Sequence, residues 1–234
     1  SQYFEFVSKT VYEESVSHLT EVFHQSDNML GELTHKNLMY LHMWSEYLQD
    51  APSESKIRDY IDKAQKDAGF LYFYFLSADG NYKMTTGYLG LQENIEDEIQ
   101  KGNDIITNAA VPGKSQMLVF ASPKAHGSYQ GFKYDAIAIA YENADIVNVL
   151  DISAFNGKAK SYVLHPDGRV VIDHSLESWG NVYNFFGILR EHTDISEKEI
   201  LKISKKFKEG HTGAMLLNLD GKDYYLVYEK SDIQ

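Results

Sequence analysis

Ser161-Tyr162-Val163-Leu164-His165-Pro166-Asp167-Gly168-Arg169-Val170-Val171-Ile172 reads as a strand, an Asp-Gly turn and a second strand. Apolar, β-branched and aromatic residues flank a dipeptide that tolerates the backbone of a tight hairpin. About ninety residues earlier the same sentence is written in other letters. Phe70-Leu71-Tyr72-Phe73-Tyr74-Phe75-Leu76 runs through Ala78-Asp79-Gly80-Asn81 into Tyr82-Lys83-Met84-Thr85-Thr86. A unit that recurs at such a distance predicts two copies of one α/β module.

The order of elements after each hairpin repeats too. After the first come a short helix near 95–101, a strand near 116–122, a loop rich in Gly and polar residues, and a strand near 134–141. Helices over 181–191 and 196–207 follow the second. Gly213-Ala214-Met215-Leu216-Leu217 then leads through Asp220-Gly221-Lys222 into Tyr224-Tyr225-Leu226-Val227-Tyr228. The first copy has one further strand, Ala136-Ile137-Ala138-Ile139-Ala140, whose counterpart is missing from the second. The second sheet is therefore expected to be one strand short, with the missing strand supplied just beyond Gln234.

Upstream of both copies, Tyr12, Val16, Leu19, Phe23, Leu30 and Leu33 recur at three- and four-residue spacing, and no proline occurs before Pro52. The pattern predicts one long helix, or two nearly collinear ones, from Tyr3 to Leu48. About 45 helical residues span on the order of 70 Å, more than one small domain. A shorter helix is expected from Glu54 to Ala68, with Ser53 as N-cap and Gly69 ending it. The organisation read from the chain is a helix over 1–50, a first module over 51–152 and a second over 153–234 that lacks its last strand.

A long helix feeding two such modules resembles the tandem Cache, or double PDC, sensor domains. The resemblance rests on Phe75-Leu76-Ser77-Ala78-Asp79-Gly80, on Ala138-Ile139-Ala140-Tyr141 leading into Ile146-Val147-Asn148-Val149-Leu150, and on Tyr162 through Asp173. It implies an α+β fold: a long N-terminal helix and two PAS-like modules, each a central antiparallel sheet flanked by helices. It further implies an extracytoplasmic ectodomain of a bacterial membrane receptor, anchored by flanking segments, with a small-molecule pocket in the membrane-distal first module. Signalling output would be a histidine kinase, a diguanylate cyclase or a chemoreceptor domain. The family's amino-acid-binding version has an arginine two residues before a tryptophan. Here His42 stands at that distance from Trp44, and Arg58 has no tryptophan near it.

Composition narrows the chemistry. The net charge of -12 and the presence of only three arginines, Arg58, Arg169 and Arg190, argue against a nucleic-acid surface. The absence of cysteine excludes disulfides and thiolate nucleophiles. Nine histidines form no HExxH or comparable ligand pair, so no metal or cofactor is expected. Neither a Gly-x-Ser-x-Gly elbow nor a phosphate-cradling glycine loop is present, and catalysis is not expected. No run approaches the roughly 18 apolar residues of a membrane-spanning helix.

What remains is binding. Alternation puts Tyr72 and Tyr74 on one face of their strand and Phe73 and Phe75 on the other. If the face turned away from the helices is a pocket floor, Tyr74, Lys83, Thr85, Phe120, Ser122 and Tyr134 are its candidate liners. Lys83 or Lys124 could meet an anionic ligand. A second apolar stripe on the long helix, with Val7, Val11 and Val22, suits a homodimer. The alternative is a structural or partner-binding ectodomain with no small-molecule ligand, its modules acting as spacers.

Overall fold

The computed structural model describes residues 2–8, 13–79, 81–84, 90–91, 95–110, 117–150, 160–173 and 184–231. It opens with a difference from the sequence reading. Gln2–Ser8 is a strand, β1, and the helix α1 begins only at Glu13 and runs to Asp50. The segment Tyr3-Phe4-Glu5-Phe6-Val7 has aromatic and β-branched composition with no helical spacing, and the three- and four-residue repeat starts at Tyr12.

The chain forms two compact units, residues 32–146 and residues 1–31 with 147–234, and α1 contributes to both. In the 32–146 unit, α1 is followed by α2 (Glu54–Ala68). Ser53 Oγ accepts the Lys56 N–H, and Gly69, in the left-handed region at φ 77°, closes the helix by donating to the Gln65 carbonyl. Both caps are those the sequence predicts.

The sheet of this unit is built from β2 (Tyr72–Leu76), β3 (Tyr82–Met84), β4 (Gly90–Leu91), β5 (Ile105–Ala110), β6 (Met117–Ser122) and β9 (Ala136–Glu142), in the order β3-β2-β9-β6-β5-β4. Its pairings are antiparallel. The helix α3 (Glu96–Lys101) lies between β4 and β5 in the chain, and a separate hairpin, β7 (Gly127–Tyr129) with β8 (Phe132–Tyr134), occupies the stretch read as a polar loop.

One face of this sheet is joined to α1. Trp44 packs against Phe70 and Phe73, with ring centroids 5.6 and 6.4 Å apart. The Tyr141 hydroxyl donates to Asn37 Oδ1 at 2.6 Å, and Asn37 Nδ2 donates in turn to the Leu33 carbonyl at 2.8 Å. The helix α2 joins the layer through the Tyr47–Tyr60 stack, 3.8 Å between centroids.

In the other unit, α4 (Asn143–Leu150) leads toward β10 (Lys160–Leu164), β11 (Val170–Asp173), α5 (Phe185–His192), α6 (Glu197–Lys208), β12 (Gly213–Leu219) and β13 (Lys222–Lys230). The strand order is β11-β10-β1-β13-β12. Comparison with β3-β2-β9-β6-β5 shows β1 in the position that β9 holds in the first sheet, antiparallel to both neighbours as β9 is. The slot that the sequence leaves open at the end of the second copy is thus filled from the front of the chain. An unfilled slot would have exposed two rows of backbone donors and acceptors.

Helices α5 and α6 cover this sheet with Phe185, Phe186, Ile200, Ile203 and Phe207 over Tyr162, Leu164, Leu226 and Tyr228. The Asp-Gly turn is locked to that core: Gly168 has φ 88°, and a Cβ there would lie 2.5 Å from the Phe186 ring.

Candidate functional site

Register decides which side chains share a face. Across the first sheet Tyr74 is level with Ala138 and Ala138 with Ala121, and Tyr72 is level with Ala140 and Ala140 with Val119. Strand β5 completes the rows by pairing Ile105 with Ala121 and Thr107 with Val119. On the face opposite α1, the floor is therefore Ala121, Ala138, Ala140 and Val119, all fully buried. Tyr72, Tyr74 and Tyr82 stand along one bank, and Thr107 with Ile105 along the other. Ile95 and Ile99, from the start of α3 and within it, pack into the same cluster.

Two polar atoms on this face are out of balance. Tyr74 is 1% exposed and Thr107 is 0% exposed, and neither hydroxyl has a hydrogen-bond partner. A buried unpaired hydroxyl costs on the order of 1–3 kcal/mol, so a fold keeps one for a reason other than stability. Burial, reinforced by the nearby Tyr72 and Tyr82 phenols, pushes the Tyr74 phenol far above the ordinary tyrosine value. It is a neutral O–H at any physiological pH, able to donate one hydrogen bond and to accept others.

The sequence-predicted liners do not stay together. Of the described ones, Tyr74 alone lies on the alanine face. Phe120 and Ser122 are fully buried on the opposite face, where the Phe120 ring meets Tyr141 edge-on at 6.1 Å. Tyr134 lies over Phe75 with ring centroids 4.8 Å apart, and its phenol is pushed up by burial. Lys83 is level with Phe75 rather than Tyr74, and its Nζ donates to the Gln130 carbonyl at 3.3 Å. Lys124 is exposed, and its carbonyl accepts from Gln49 Nε2 at 3.4 Å. Thr85 lies outside the described residues. Thr107 and the alanine floor escaped the sequence reading, although strict Ala/Ile alternation in Ala136-Ile137-Ala138-Ile139-Ala140 was the available signal.

Strand β9 links the two faces. Ala138 and Ala140 look to the candidate site, and Tyr141, one residue on, holds α1 through Asn37. A second tie runs from His42 Nε2 on α1 to the Asp104 carboxylate at 3.0 Å, three residues before Thr107. Among the described residues no group of His, Asp or Glu could hold a metal ion, and no helix is long and apolar enough to cross a membrane.

No family model and no curated protein matches the chain. Solved structures do. The chain is similar to the ligand-binding domain of the Pseudomonas aeruginosa PAO1 amino acid chemoreceptor PctB in complex with L-Gln, with TM-score 0.60, 12% identity, and coverage of 92% of this chain and 90% of that one. The ligand-binding domain of the Pseudomonas fluorescens chemoreceptor CtaA in complex with L-valine gives TM-score 0.56 at 10% identity, covering 95% and 100%. The PctC domain of P. aeruginosa in complex with GABA gives 0.55 at 12% identity, covering 90% and 97%. With two sheets of matching strand order, the chain shares the fold of these chemoreceptor ligand-binding domains, the tandem Cache, or double PDC, fold.

Proposed function

We propose that the chain is the extracytoplasmic sensing domain of a transmembrane signal-transduction receptor, and that it binds a small molecule on the alanine face of the 32–146 unit. It performs no chemistry itself, and the output belongs to other parts of the receptor. The observation that carries this reading is the pair of buried, unpartnered hydroxyls, Tyr74 and Thr107, on either side of a floor of small residues. Because the similar PctB and CtaA domains are described as complexes with amino acids, amino acids are the first class to test, although the Arg-x-Trp pattern is absent here.

A ligand acts only if it binds one conformation better than another. Contact with Ala138 or Ala140 bears on β9, and through Tyr141 and Asn37 on α1. A thermal-shift screen of the L-amino acids and of small carboxylates and amines should return at least one ligand that raises the melting temperature. Ala138→Leu, which fills the floor, should weaken that ligand by at least tenfold while the protein still unfolds cooperatively. Binding unaffected by Ala138→Leu would move the site elsewhere.

A partner-binding role has its own observation. Met39, Met43 and Tyr47 recur every four residues on α1 and are 56%, 50% and 41% exposed. We infer that this stripe is where two copies meet. Sedimentation equilibrium should show a concentration-dependent dimer that Met39→Glu/Met43→Glu abolishes. An unchanged monomer–dimer balance in that variant removes α1 as the interface.

A further inference from the structure

The helix α6 carries five lysines against two glutamates, in a chain whose net charge is -12. Ile200, Ile203 and Phe207 face the core, which turns Lys198, Lys202, Lys205, Lys206 and Lys208 to solvent. Within that arc, between Lys205 and Lys208, is Leu201, 66% exposed, more than any other large apolar side chain among the described residues.

Lysines in the last turn favour a helix by opposing its dipole, which accounts for Lys205, Lys206 and Lys208. It does not account for Lys198 and Lys202 in the first half, nor for a leucine left in water among them. The anions nearby are few. Glu197 is held by Arg190 at 2.7 Å, Glu209 reaches Lys205 at 3.8 Å and His211 at 3.1 Å, and Glu199 lies at the flank. Pairs so exposed contribute little, and they leave the lysine heads accessible.

The position of this face within its unit adds a second line. Gln2 is level with both Leu164 and Lys230, so the two ends of the described chain lie side by side at one end of two interior strands, β1 and β13. The exposed Lys230 lies over Gly210, just past the C-terminus of α6, where a Cβ would come within 3.0 Å of its Cδ and 3.7 Å of its Nζ. The basic end of α6 and both chain ends therefore share one corner of this unit.

We propose that this corner is a membrane-contact surface: α6 rests on anionic phospholipid headgroups, with Leu201 dipping toward the acyl boundary and the lysines around it reaching phosphate. Long lysine stems around a lone apolar side chain suit a lipid interface, where stem and head find different environments. An acidic polypeptide would satisfy the charges and leave Leu201 unexplained. The inference does not depend on what the other unit binds.

The test is co-sedimentation of the 234-residue chain with vesicles at low ionic strength, comparing an equal mixture of phosphatidylglycerol and phosphatidylcholine with phosphatidylcholine alone. Binding is expected only to the anionic vesicles. Lys202→Glu/Lys205→Glu/Lys208→Glu should reduce it on the order of a hundredfold, and Leu201→Ser by about tenfold, with circular dichroism unchanged. The control Lys63→Glu/Lys66→Glu, on α2, should have no more than a small effect. If charge reversal disturbs folding, the corresponding Lys→Gln triple variant should still lose most of the binding. Equal binding to both vesicle types, binding that survives the α6 variants, displacement by inorganic phosphate at matched ionic strength, or a preference for soluble poly-glutamate would each overturn the proposal.

Discussion

Phe207→Ala is expected to lower the stability of the unit that contains α6 by about 3–5 kcal/mol. Phe207 is 1% exposed, stacked on Phe186 at 5.4 Å and edge-on to Tyr228 at 5.2 Å. Phe186 in turn bears on Gly168, where the left-handed backbone leaves no room for another residue. Alanine would open a cavity among rings that the hairpin turn and two helices hold in place, so little relaxation could close it. Urea unfolding followed by circular dichroism would measure the loss. Hydrogen exchange across Lys222–Lys230 should show where it falls. A loss under about 1 kcal/mol would mean that this core is looser than its ring contacts imply.

That expectation also separates the two sheets. The helices that follow the hairpin of each copy, α3 in the first and α5 with α6 in the second, cover corresponding faces. In the second copy that face is filled by Phe185, Phe186 and Phe207. In the first it carries Ala121, Ala138 and Ala140. One repeated frame thus has a version filled by aromatic rings and a version floored with small residues.

Repetition made the fold legible. The Asp-Gly hairpins, the caps at Ser53 and Gly69, and the long apolar repeat of α1 are local signals, each readable from a few residues. The candidate site depends on register, which is not local. Nothing in Met117-Leu118-Val119-Phe120-Ala121-Ser122 says which parity faces the same way as Tyr74. A slip of one residue reverses every assignment, which is why Phe120 and Ser122, expected beside Tyr74, face the other way. Ile105–Ala110 does not read as a strand because Thr107, Asn108 and two alanines dilute its β character, so Thr107 carries no sequence signal of its own. The N-terminal strand was hidden by the helix that follows it closely, since a strand that completes a distant sheet has no partner in its own neighbourhood.

Removing hydroxyls from the alanine face should have opposite effects on stability and on binding. Tyr74→Phe and Thr107→Val each delete a buried group with no hydrogen-bond partner, so the ligand-free double variant should be more stable than the parent by about 1 kcal/mol or more. Tyr141→Phe is the control. Its hydroxyl donates to Asn37 Oδ1 at 2.6 Å, and deleting it strands that buried acceptor, at an expected cost of about 1–3 kcal/mol. Urea midpoints of the ligand-free proteins would therefore move in opposite directions for two chemically identical substitutions on adjacent strands of one sheet. Binding should move against stability: each hydroxyl that meets the ligand is worth about tenfold in affinity, and the pair on the order of a hundredfold, by calorimetric titration with the strongest hit of the thermal-shift screen. If Tyr74→Phe destabilised the ligand-free protein as much as Tyr141→Phe, its hydroxyl would belong to the fold, and the site would lose its main support. A gain in stability coupled to a loss of affinity is instead the signature of polar groups kept for a ligand.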